Sequence, residues 1–134
     1  IMKRWFAIVV TLALAAISAD RLIAAESQVP VLYENLLRSQ LARVDSTEVT
    51  VSHITAASGA VFPGHHHPGE EFIYVIEGSG TLQLQGDPPV TLKAGDAFKV
   101  PLERVHSATV GDRGMKAIVF RVHPMGQPER VLTQ

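Results

Sequence analysis

The chain has 134 residues, 46% of them hydrophobic, with a formal charge of −1 and no cysteine. That length suits one domain able to bury most of its apolar surface, and the lack of cysteine excludes both a disulfide framework and a thiolate metal site. No basic patch of the kind that tracks phosphates is present, which argues against nucleic acid as a partner.

Met2-Lys3-Arg4 is followed by Trp5–Ile17, an apolar run interrupted only by Thr11, and then by the small residues Ser18 and Ala19. A charged start, an apolar core and small residues after it predict a secretory signal peptide over residues 1–25, cleaved after Ala19 or Ala25. The apolar run is shorter than the roughly 20 residues needed to span a bilayer, so no stable membrane insertion is expected after cleavage. The mature chain, residues 26–134, is then a single domain in the periplasm or outside the cell. Cleavage after Ala25 removes Lys3, Arg4, Arg21 and Asp20, a net +2, and takes the formal charge from −1 to −3.

Residues 29–47 carry a weak signal. Val31-Leu32-Tyr33 and Leu36-Leu37 fit a short edge strand or the start of a helix, and we favour a strand followed by a loop. From there the pattern is β. Val49–Ile54 alternates; Phe72–Ile76 is continuously apolar; Leu82 and Leu84 alternate with polar neighbours; 90–92, 97–100, 105–110 and 115–122 follow. Turn residues separate them at 78–80, 86–89, 94–96, 101–103 and 111–114. Many short strands with regular turns predict an all-β sandwich or closed barrel. The apolar runs Phe72–Ile76 and 117–120 are expected to be buried on both faces, as in a homodimer whose sheets pack together.

Within this pattern stands His65-His66-His67-Pro68-Gly69-Glu70-Glu71. On a strand His65 and His67 share a face about 7 Å apart, close enough to meet at one ion, while His66 points the other way. The Pro-Gly turn is expected to bring the next strand alongside, with Glu71 at its start adding an oxygen ligand. Neutral imidazoles with a carboxylate suit Zn, Fe, Mn, Ni or Co. His53 and His123 read as strand residues with satisfied hydrogen bonds, Tyr74 and Phe98 as core or interface, and Glu70 as a surface residue. Arg121, in an otherwise apolar strand, could orient an anionic ligand or form a rim salt bridge.

These residues carry a family resemblance. Gly59, His65, His67, Glu71 and Gly78 have the spacing of the first motif of the cupin family, and Gly95, Pro101 and His106 that of the second. Glu103 stands where the family usually has glycine, and Val110 where it often has asparagine. The resemblance covers residues 49–123. It implies an antiparallel double-sheet jelly-roll barrel holding one divalent transition metal ion on His65, His67, Glu71 and His106. Resemblance to small cupins also suggests that the N-terminal arm pairs with a second subunit.

Such a ligand set leaves octahedral positions open for a small molecule, water or O₂. The expected function is therefore a metal-dependent enzyme of dioxygenase or isomerase type acting on a small organic molecule. The alternative is a non-catalytic cupin that binds or senses a small ligand or metal.

Overall fold

The computed structural model describes residues 30–133. The leader expected over 1–25 lies outside these residues. Among them every regular element is a strand: β1 (Val31–Gln40), β2 (Thr47–Ala56), β3 (Val61–His66), β4 (Glu70–Leu84), β5 (Val90–Lys93), β6 (Ala97–Val100), β7 (His106–Pro124) and β8 (Val131–Leu132). All pairings are antiparallel.

β4 and β7 run side by side along their whole lengths, and each belongs to both layers. The second half of β7 pairs with β2, which carries β1 on its far side, and the first half of β4 carries β6. The first half of β7 pairs with β3, which carries β8, and the second half of β4 carries β5. The two layers face each other as a jelly-roll barrel, closed over Ile54, Ala56 and Val119 from one layer and Phe62 and Val110 from the other. A second apolar cluster, Val75, Leu82, Leu84, Leu92 and Val100, fills the side near β5 and β6.

The glycine groups at 78–80 and 111–114 are bends inside continuous strands, not turns between separate ones. Register shifts flank Gly78, and residues 111–114 bulge opposite Ser79. Gly78 has φ 74°, and a Cβ there would lie 1.9 Å from the carbonyl oxygen of Gly114, so only glycine lets the two strands cross so closely at the corner.

One further expectation changes. β3 and β4 are not hydrogen-bonded neighbours: β3 pairs with the start of β7 and β4 runs to its end. The Pro68-Gly69 turn crosses between layers, packed so tightly on β7 that a Cβ on Gly69 would lie 2.1 Å from the Val122 carbonyl oxygen. Within a single chain the apolar runs in β4 and β7 bury one face. Val75 and Ala117 are fully buried, whereas Phe72, Tyr74, Ile76 and Phe120 are 37%, 50%, 41% and 37% exposed, because a barrel interior can take only alternate residues of a strand.

Candidate metal centre

Toward one side the barrel interior becomes polar. Glu48, Thr50 and Ser52 of β2, Glu71 of β4 and Arg121 and His123 of β7 are buried there with His65, His67 and His106. His65 and His106 are register partners on β3 and β7, and His67 follows β3 in the crossing turn. The three imidazole rings have centroids 4.3–5.1 Å apart, and one nitrogen from each lies within 4.8 Å of the others, so the group could hold a metal ion.

Each ring is fixed from behind by a backbone carbonyl. His65 Nδ1 donates to Pro63 O at 2.7 Å, His67 Nδ1 to Glu129 O at 2.5 Å and His106 Nδ1 to Arg104 O at 2.8 Å. With the proton on Nδ1, each Nε2 carries a lone pair directed inward, the tautomer a metal ligand needs. Burial pushes the His65 pKa down to about 4 and also lowers that of His106, so both rings are neutral at pH 7.

Glu71 completes the cluster from the opposite layer. Its Oε2 lies 3.0 Å from His67 Nε2, and its Oε1 lies 3.9 Å from His106 Nε2. Burial alone would raise its pKa, but the adjacent His67 and the Arg121 guanidinium outweigh burial and hold it at about 2. Arg121 Nε donates to Glu71 Oε2 at 2.6 Å, both groups being buried. With Nδ1 as the donor of His67, Nε2 and the carboxylate oxygen face each other as two acceptors at 3.0 Å. His67 Nε2 and His106 Nε2 have no hydrogen-bond partner. Buried acceptors so close require a cation between them, either a proton or a metal ion. Neutral imidazoles and an ionised carboxylate fit a divalent transition metal.

The flanking residues sort as follows. His66 is half-buried and stays outside the cluster, and Glu70 forms a surface ion pair with Lys99. Tyr74 is exposed, while Phe98 packs on the second apolar cluster. Arg121 is no rim residue but the buried partner of Glu71. Its direction follows from alternation, since Ala117 and Val119 face the core and 121 and 123 share their side. His123 is not satisfied as expected: neither ring nitrogen has a hydrogen-bond partner, and Nε2 lies 3.4 Å from Glu48 Oε1. The contact of Glu129 with His67 spans 62 positions, and no local pattern announces it.

A stretch of 76 residues, 57% of this chain, is 32% identical to dimethylsulfoniopropionate lyase DddQ of Ruegeria pomeroyi and covers 37% of that protein. The crystal structure of DddQ matches with a TM-score of 0.66 at 24% identity, covering 84% of this chain and 56% of that one. The structure of KdgF from Halomonas sp. matches with a TM-score of 0.55 at 20% identity, over 68% of this chain and 77% of that one. A cupin superfamily protein from Desulfitobacterium hafniense gives a TM-score of 0.57 at 20% identity, over 70% and 78%. At these identities the structural likenesses speak for the fold, and the chain spans well under two thirds of the lyase. The family profile described as the cupin domain matches residues 52–121, more than half of the sequence and the part that carries all three histidines, and the chain belongs to the cupin family.

Proposed function

We propose that this chain is a metal-dependent cupin enzyme in which His65, His67, His106 and Glu71 hold one divalent ion. We infer further that it acts on a small organic carboxylate by Lewis-acid chemistry, elimination from a compound such as dimethylsulfoniopropionate being the leading reaction. The observation that carries the metal reading is the tying of all three Nδ1 atoms to backbone carbonyls, which turns three lone pairs toward one point. The identity to the lyase over 76 residues supports the reaction class.

A bound divalent ion would polarise the substrate's carboxylate and stabilise negative charge developing beside it. The chain's own groups prepare for this. The buried imidazoles of His65 and His106 stay neutral and available. Glu71, held at about 2, is too weak a base to take a proton from carbon and acts as a ligand. Arg121 keeps Glu71 ionised and sets a positive charge beside the cluster.

The test is anaerobic incubation of Zn-loaded and Mn-loaded protein with dimethylsulfoniopropionate, measuring release of dimethyl sulfide. Release with zinc, which has no accessible redox chemistry, supports the proposal. Conversion of small organic molecules only with Fe and O₂ would replace it with the dioxygenase reading. Saturable thermal stabilisation by ligands without conversion under any metal would replace it with the non-catalytic reading.

A further inference from the structure

Past β7 the chain turns back and crosses to β3. Met125 N donates to Ser46 O at 2.8 Å at one end of this segment, and Thr133 N to Gly64 O at 2.9 Å at the other. β8 adds two pairings, His65 with Leu132 and His66 with Val131. Between these attachments Glu129 makes three contacts. Its backbone carbonyl accepts the His67 Nδ1 proton. Its carboxylate meets Arg38 of β1, and it also lies 3.6 Å from Arg121 Nη1 of β7. Arg38 in turn pairs with Glu48, and Arg121 with Glu71. Charges therefore alternate from Glu48 through Arg38, Glu129 and Arg121 to Glu71, and the row ends at the histidine cluster.

The segment holds itself down weakly. Its residues apart from Glu129 are exposed, and β8 has only two residues. Segments with few buried contacts open at the low end of a protein's stability range. Yet this segment supplies the acceptor that sets the His67 tautomer and one of the two carboxylates that hold Arg121.

We propose that residues 125–133 form a latch whose docking is coupled to metal binding. Glu129 is its positioning residue, acting through His67 and through Arg121 on Glu71. This rests on the reading of the cluster as a metal centre. When the latch lifts, His67 loses the acceptor behind Nδ1, and Arg121 loses one of its anions. A metal ion that needs His67 Nε2 unprotonated binds the latched form better, and by reciprocity its binding holds the latch down.

Trypsin reads the latch directly, because cleavage after the exposed Arg130 requires the chain around it to leave the barrel. The full chain is stripped of metal, and Zn²⁺ is the probe. Affinity is measured by chelator competition, and cleavage is followed after Arg130 and, as internal reference, after Arg113 in the exposed bulge of β7. Zn²⁺ is expected to slow cleavage after Arg130 about tenfold or more and to leave Arg113 unchanged. Glu129→Gln, which keeps the backbone carbonyl and removes the charge, is expected to speed cleavage after Arg130 without metal and to weaken Zn²⁺ binding about tenfold, the lower end of the 10–100-fold cost of losing an outer-shell partner. If the unaltered protein binds no Zn²⁺, the metal reading falls and takes the latch with it. If it binds Zn²⁺ but cleavage after Arg130 is unaffected, or slows no more than after Arg113, the latch is overturned and the metal centre stands. Wild-type affinity in Glu129→Gln overturns it equally.

Discussion

Glu103 occupies a left-handed backbone conformation, φ 55°, in the turn from β6 to β7. The turn is tied to the site twice: Glu103 N donates to His67 O at 3.2 Å, and Arg104 O accepts from His106 Nδ1 at 2.8 Å. The glycine usual at this place in the family thus has a physical reason. A residue with a Cβ costs roughly 1–2 kcal/mol in this region, whereas glycine costs roughly 0.5–1 kcal/mol in chain entropy. Glu103→Gly is therefore expected to stabilise the protein by up to about 1 kcal/mol, raising Tm by a few degrees for a domain of this size. Thermal unfolding checks it, and a lowered Tm would mean that the Glu103 side chain contributes more than its strained backbone costs.

At the scale of the elements, the strands of residues 49–122 could be read from alternation, and the spacing of His65, His67 and His106 matched a motif that the folded chain brings together. Other features depend on how the strands are folded over. That β4 and β7 continue through their glycines follows from two backbones meeting at a corner, which no single strand's pattern contains. The inward aim of Arg121 was available from alternation with Ala117 and Val119, but the neighbouring Phe120 and Ile118 disguised the strand as uniformly apolar. Those residues belong to the outer face, where Leu37, Val51, Phe120 and Phe72 form one row across β1, β2, β7 and β4, flanked by exposed Tyr74 and Ile76. β1 pairs with its own β2 and is the outermost strand of that layer. The outer row, however, is a continuous apolar surface of the kind that marks an interface. It can be covered by the same patch of a second copy about a two-fold axis, which needs no other partner. Analytical ultracentrifugation is expected to find a dimer, and Phe120→Glu a monomer that still binds metal. A wild-type monomer at tens of micromolar would contradict the pairing.

For the whole molecule, the barrel divides its interior between an apolar part that holds the layers together and a polar part that is costly to bury unless it is used. Three buried imidazoles, two of them with unpartnered Nε2 atoms, and an ionised carboxylate against a buried arginine would burden a fold that had no ion to bind. The account's central claim is that one divalent ion per chain sits among them. The most direct measurement is the Zn²⁺ affinity and stoichiometry of the metal-stripped protein beside two variants, His106→Ala and His66→Ala. The account predicts one tightly held ion, a loss of affinity beyond about 100-fold in His106→Ala, more than an outer-shell partner costs, and no change in His66→Ala. Equal affinity in all three proteins, or no stoichiometric binding in any, would contradict it.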